Sequence, residues 1–170
     1  MGLDIVAYRQ LTPIQCARYD ECWKEHAHIR SNGENFPGRD EGVARGCHEY
    51  AEEFCFHAGS YSGYNHWRER LAELAEYPLV AHPGEHHKGE ESRAAAAWSG
   101  KVSSGPFYEL IDFSDCEGTI GPIVAKKLAA DFALYQERAN AHEGEYWRER
   151  YADWSKAFEM AADGGAVCFH

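Results

Sequence analysis

Two short stretches of the chain carry side chains able to meet a charged small molecule, and both have the same design. Gly59-Ser60-Tyr61-Ser62-Gly63 leads into Tyr64-Asn65-His66-Trp67-Arg68, and Ser114-Asp115-Cys116-Glu117-Gly118 leads toward Gly121-Pro122. Each reads as a loop of Gly, Ser and polar residues feeding a helix N-terminus. Unpaired backbone N–H groups and the helix dipole there favour an anion by about 0.3–1 kcal/mol. In the first stretch Ser60 and Ser62 add hydroxyls, Asn65 an amide, Arg68 a guanidinium, and Tyr61, Tyr64 and Trp67 aromatic faces. That set suits a nucleotide, with phosphate on hydroxyls and N–H groups and a base on an aromatic ring, each stacked base being worth on the order of 1–3 kcal/mol. A purely structural reading uses the same residues, with Ser60 and Ser62 as helix caps and Tyr64 and Trp67 as core anchors; Trp67 is expected to be buried under either.

In the second stretch Asp115 and Glu117 flank Cys116. Two carboxylates so placed accept hydrogen bonds from ribose hydroxyls or a base amino group, hold a divalent cation, or act as acid and base. The structural alternative makes Ser114 or Asp115 the cap of the following turn and leaves Glu117 favouring the dipole. Cys116 as a nucleophile needs an imidazole beside it, and His57, His66 and His170 are remote in sequence. Neither Ser60 nor Ser62 has the flanking glycines of a G-x-S-x-G elbow. A G-x-G-x-x-G fingerprint, a phosphate loop ending in Gly-Lys-Ser or Gly-Lys-Thr, and an H-E-x-x-H helix are all missing. Cys47, His48, Cys55 and His57 match no closed zinc knuckle, and Glu85-His86-His87 reads as a solvated polar run rather than a metal site.

The elements that must position these loops follow from periodicity. Leu3 to Tyr8 alternates apolar and polar residues as a strand, and Glu49 to Ala58 reads as a second. Between them Pro13, Asn32-Gly33, Pro37-Gly38 and Gly42 imply a mostly looped segment, with a short helix or strand near Ile14 to Trp23. Tyr64, Trp67, Leu71 and Leu74 form one apolar stripe of a helix that Pro78 ends. The composition of residues 81–106 suggests an exposed insertion, and Phe107 to Phe113 reads as a strand. Val124, Leu128, Phe132 and Tyr135 mark a second helix through about Ala139. Trp147, Tyr151, Trp154, Phe158 and Ala161 mark a third, from Gly144 to Ala162, before a closing strand Ala166 to Phe169. The expected fold is thus α+β: a small mixed or antiparallel sheet packed against about three amphipathic helices, one domain over residues 1–170. Trp-Arg-Glu-Arg-x-Ala occurs at Trp67 and again at Trp147, on two amphipathic helices where the pattern is easily reached, so no duplication is inferred.

With 170 residues and 44% hydrophobic content the chain can bury a core, which rules out fibrous and disordered classes. Seventeen basic against 28 acidic residues leave a formal charge of −11, which argues against general DNA or RNA binding. The absence of an 18-residue apolar run and of a basic, apolar start argues for a cytoplasmic protein without membrane partners. The six cysteines include no C-x-x-C pair and are read as thiols.

The chain resembles a family of bacteriophage and prophage proteins. The resemblance rests on Met1-Gly2-Leu3-Asp4-Ile5, on Phe56-His57-Ala58-Gly59-Ser60-Tyr61-Ser62-Gly63-Tyr64-Asn65-His66-Trp67-Arg68, on Phe113 through Pro122, and on Phe158 to His170. It brings no activity to transfer; a phage setting implies counter-defence, in which small proteins soak up the nucleotide signals of host immunity.

These strands of argument give one leading expectation and two rivals. The leading one is non-enzymatic capture, by a homo-oligomer without cofactor, of a small nucleotide-like ligand such as a cyclic nucleotide or an ADP-ribose-derived signal. Ser60, Tyr61, Ser62, Tyr64, Asn65, Arg68 and His57 would hold phosphate and base, with Asp115 and Glu117 on ribose or amino groups, both loops lining one pocket. The rivals are a small hydrolase using Asp115, Cys116 or Glu117 with His57, and an acidic protein inhibitor of a host enzyme.

Overall fold

The computed structural model describes residues 2–15, 25–84, 87–142 and 144–170. The alternation at the start of the chain forms β1 (Leu3–Arg9), which buries Leu3, Ile5 and Ala7 on one face. It pairs antiparallel with β5 (Glu52–Gly59) on one side and with β9 (Ala166–Phe169) on the other, and β9 pairs antiparallel with β8 (Gly118–Ile120). The resulting sheet has the order β5-β1-β9-β8, so β5 and β8 are its two edges. All four residues of β9 are buried, because the strand is central and covered on both faces. Antiparallel sheet and helices together make the fold α+β.

One face of this sheet carries α1 (Tyr61–Leu74), α4 (Pro122–Asn140) and α5 (Glu145–Ala161), the three helices expected from periodicity. Their stripes meet in a ring-rich core. Trp67 and Trp154 stack with centroids 5.0 Å apart, and Tyr151 packs edge-on to Phe132 at 4.8 Å. Phe169 of β9 meets Trp154 at 5.6 Å. Large aromatic side chains such as these supply most of the apolar burial. Two donors are satisfied on the way: Tyr151 Oη donates to Phe132 O at 2.8 Å and Trp147 Nε1 to Ala139 O at 3.0 Å. The return from α5 to β9 passes so close to β1 that a Cβ on Gly165 would lie 1.8 Å from Tyr8 O, which reserves the position for glycine.

On the other face Ala166 and Cys168 pack with Ile29, flanked by Tyr8, Leu11 and Val43. Ile29 belongs to a second sheet of order β2-β4-β3, built from β2 (Thr12–Pro13), β4 (Gly46–Glu49) and β3 (Ala27–Ile29). Two to four residues among Gly, Pro and Asn carry too little alternation for these strands to be read from sequence. Of the helix or strand expected near Ile14 to Trp23, residues 16–23 lie outside the described residues.

Two further expectations are corrected. Phe107 to Phe113 is not a strand: Tyr108–Ile111 forms a four-residue helix, α3, entered through Phe107 at φ 59°. The spacing of Phe107, Leu110 and Ile111, all fully buried, is that of a helical face, and Asp131 Oδ2 on α4 accepts Phe107 N–H at 2.8 Å to hold the entry. Nor are residues 81–106 an exposed insertion throughout. The segment carries β6 (Val80–Ala81), β7 (Glu91–Ser92) and α2 (Ala95–Trp98), and Ala94, Ala96 and Ala97 are buried in the main core. Glu69 on α1 accepts from Arg93 N, Ala94 N and Ser92 Oγ, tying the segment down.

Candidate functional site

The first loop folds as a helix cap. Ser60 has φ −69° and ψ 162°, and its Oγ accepts the Gly63 N–H at 3.1 Å while lying 3.1 Å from Ser62 Oγ. The hydroxyl expected to hold phosphate is thus committed to the helix end. Tyr64, expected to stack on a base, is fully buried and stacks instead on Trp154 at 5.8 Å, which corrects its assignment as a ligand contact. Burial pushes its phenol up well beyond the usual tyrosine range. Tyr61 is exposed at the helix start.

Arg68, two turns into α1, is also turned inward and only 5% exposed. Its Nη1 donates to Phe113 O at 2.7 Å and to Ile111 O at 3.3 Å, and Nη2 donates to Asn65 Oδ1. Asp115 Oδ2 stands 4.0 Å away, and the guanidinium lies between the rings of Tyr64 and Trp98 at 4.7 and 5.0 Å. The two motifs therefore do meet. They meet as protein holding protein.

The second loop does not feed a helix directly. Ser114 Oγ accepts from Cys116 N and Glu117 N at 3.3 and 3.1 Å, closing a turn, and β8 intervenes before α4 begins. The start of α4 is itself covered: Gly121 N donates to Arg39 O at 2.7 Å, and a Cβ on Gly121 would lie 2.5 Å from Glu41 O. The helix N-terminus at Gly121-Pro122, expected to present unpaired N–H groups to an anion, is covered by backbone from residues 39–41. Cys116 Sγ lies 3.5 Å from Ser114 Oγ.

Nor do the loops share one opening. Asn65 and Arg68 line a cleft of about 440 Å³ with His66, His82, His87 and Trp98. Glu117 lines a different cleft, of about 340 Å³, beside Arg30, and its carboxylate is 3.9 Å from Arg30 Nη1. His57 sits on edge strand β5, where its Nδ1 is 2.8 Å from Asp4 Oδ1 on β1. The 114–117 loop precedes the opposite edge, β8. Three strand spacings, roughly 14 Å, separate the edges, so His57 and the Asp115–Glu117 loop form no acid–base or thiol–imidazole pair.

A third opening was not foreseen. Gly63, Trp67 and Arg70 from α1 face Gly144, Tyr146 and Trp147 around an apolar cleft of about 350 Å³. It lies at the N-terminal ends of both α1 and α5, and Tyr146 is 60% exposed on its rim. His66 lines this cleft and the polar one alike. Trp67 is 5% exposed, and its Nε1, buried, has no hydrogen-bond partner. The rings of the polar cleft are already ordered among themselves, with His82 and His87 centroids 4.2 Å apart and His82 edge-on to Trp98 at 5.5 Å. Glu69 forms its floor. Burial alone would raise this carboxyl, but hydrogen bonds from Ser92, Ala94 and Arg93 outweigh burial and hold it below the usual glutamate range.

Sequence reasoning thus found one flank of α1 and missed its partners. Tyr146 and Trp147 are legible as helix residues but not as a wall, and Trp98 and His82 lie in residues 81–106, whose composition signals exposure rather than packing. Among the described residues no group of three or more His, Cys, Asp and Glu is arranged to hold a metal; Glu85 and His86 lie outside them. Among the described residues no helix is long and apolar enough to cross a membrane. Comparison with protein-family models, with curated proteins and with solved structures finds no match to this chain.

Proposed function

We propose that the protein binds a small nucleotide-like ligand without turning it over, across the exposed flank of α1. The observation that carries this reading is the pair of clefts meeting at His66. One is apolar and walled by Trp67, Trp147 and Tyr146; the other is polar and walled by Asn65, Arg68 and Trp98. Clefts of this size suit a mononucleotide. A planar base fits the aromatic side, where the ring of Tyr146 is open to solvent, and Trp67 Nε1 is a donor still lacking an acceptor. Sugar and phosphate fit the other side, where Asn65, His66 and His82 offer donors.

Capture rather than catalysis is supported by the separation of His57 from the carboxylates of Asp115 and Glu117, which leaves the hydrolytic group of the rival reading unassembled. A ligand held without turnover is withdrawn from any receptor it would activate, which is the counter-defence role a phage protein would serve. Differential scanning fluorimetry and titration calorimetry against cyclic mononucleotides, cyclic dinucleotides and ADP-ribose derivatives test the proposal. The expected result is one ligand class that raises the melting temperature, is recovered intact after heat denaturation, and is lost on Tyr146→Ala. A full panel without a shift, or recovery of cleaved products, overturns it.

A further inference from the structure

The main sheet leaves its longest strand at an edge. β5 has β1 on one side and, among the described residues, no strand on the other. Which of its backbone groups face that open side follows from the far side of β1. Asp4 exchanges both backbone hydrogen bonds with His170, just past β9, at 3.1 and 3.0 Å. Alternation then turns Ile5 and Ala7 toward β5, where they stand opposite Phe56 and Phe54. Phe54 and Phe56 therefore spend their N–H and C=O groups on β1, while Glu53, Cys55 and His57 turn theirs outward. Arg150 Nη1 reaches one of these outward carbonyls, donating to His57 O at 2.6 Å. Open edges are commonly blunted by lysine, proline or bulges. β5 contains no Lys or Pro, and its pairing with β1 is irregular only at the Gly59 end.

The residues along this edge are symmetric in kind about Cys55: Phe54 and Phe56 flank it, then Glu53 and His57. We propose that the open edge of β5 pairs with the same edge of a second copy of this chain, antiparallel about a two-fold axis at Cys55. Two four-stranded sheets then join into one of eight strands. In that register Cys55 stands opposite Cys55, Phe54 opposite Phe56, and Glu53 opposite His57. Outward backbone groups meet outward backbone groups, as the ladder requires. Half-buried phenyl rings meet on the side of α5, where Lys156 lies over Phe54 and Arg150 over Phe56. The axis brings Lys156 toward the second copy's Arg150, but that guanidinium is already paired with Asp153 at 2.9 Å. On the opposite face a carboxylate meets an imidazole. His57 Nδ1 is engaged by Asp4 at 2.8 Å, which leaves Nε2 for the second copy's Glu53. Other registers lose this match: centring on Glu53 sets carboxylate against carboxylate, and centring on His57 sets imidazole against imidazole. A pairing this short buries little area, so the association is reversible and favoured at high protein concentration. No β5 residue lines the clefts at His66, so the proposal does not depend on the ligand reading.

Sedimentation velocity of the full chain over a concentration series, combined with cross-linking by a short bifunctional thiosulfonate and peptide mass mapping, tests the proposal. The expected result is a monomer–dimer equilibrium in which the main linked peptide joins Cys55 to Cys55. Opposite residues of such a pair have Cα atoms about 5.5 Å apart, within the reagent's reach. Cys116, also exposed but outside β5, is the control thiol. Glu53→Lys, an exposed substitution, is expected to raise the dissociation constant about fivefold by setting a cation against His57. Cys55→Pro removes only an N–H that faces the open edge, so it is expected to abolish the dimer and keep the folded circular dichroism spectrum. Should Cys55→Pro not fold, Glu53→Lys decides alone. A monomer throughout the series, a dimer linked chiefly through another cysteine, or a dimer unweakened in the folded variants overturns the assignment.

Discussion

Arg68 Nη1 donates to Phe113 O at 2.7 Å, and this contact joins the two segments that look most chemical in the sequence. The geometry explains how they meet from opposite edges of a sheet. The helix α1 starts where edge strand β5 ends, then runs over the sheet. Its first turns place Tyr64 against Phe169 of β9, and the next places Arg68 against the loop before β8. A cation buried among rings stays hydrogen-bonded because Ile111 and Phe113 turn their carbonyls toward it.

Arg68 is therefore a stability residue first. Each hydrogen bond from a buried charged donor is worth about 1.5–3 kcal/mol, and truncation leaves carbonyls unpaired. Arg68→Ala is expected to lower unfolding free energy by about 3 kcal/mol in urea titrations. Arg68→Lys is expected to recover little of this, since an ammonium cannot reproduce the fork that spans Phe113, Ile111 and Asn65.

Glu69 is expected to act locally. Its carboxylate holds Ser92, Arg93 and Ala94 against α1. Replacement by Ala is expected to raise amide exchange across residues 91–98 while leaving β1 and β9 protected, a pattern of sub-global opening. Uniform loss of protection would show that the segment is not a separable unit.

The core stack predicts a larger effect. Trp154 is 1% exposed and contacts Trp67, Tyr64, Phe56, Phe158 and Phe169. Trp154→Ala is expected to cost about 3–5 kcal/mol. Gly165→Ala is expected to be comparably damaging despite its small volume change, because the added carbon meets the Tyr8 carbonyl; thermal melts of both variants check this.

Two groups set the acid limb of stability in separate windows. Burial, followed by the charge of Arg30, holds His170 below its usual 6.5. The unfolded chain then binds that proton more readily, so stability is lost as pH falls from about 6.5 through the lowered folded value, and His170→Gln removes this loss. Glu69, held below its usual 4.5, contributes stability that is present above that pH and lost as pH falls through its folded value. Urea midpoints measured from pH 8 to about pH 3 for wild type and for His170→Gln separate the two.

Much of this protein is written in its sequence. The apolar stripes of Tyr64, Trp67, Leu71 and Leu74 and of Trp147, Tyr151, Trp154 and Phe158, the alternation in Leu3 to Tyr8, and the Gly164-Gly165 stop each follow from local periodicity and turn chemistry, and the structure has all of them. What local signals do not carry is who lies opposite whom. Whether Arg68 faces solvent or the Phe113 carbonyl depends on α1 crossing the sheet, and whether His57 can reach Asp115 depends on β5 and β8 being the two edges. That His28 meets Cys47 follows from pairing between strands of three and four residues, too short to announce themselves. Side-chain period is a property of a few neighbouring residues, whereas strand order and helix crossing are set by burying all the stripes at once, and the candidate sites lie where those long-range choices bring their walls together.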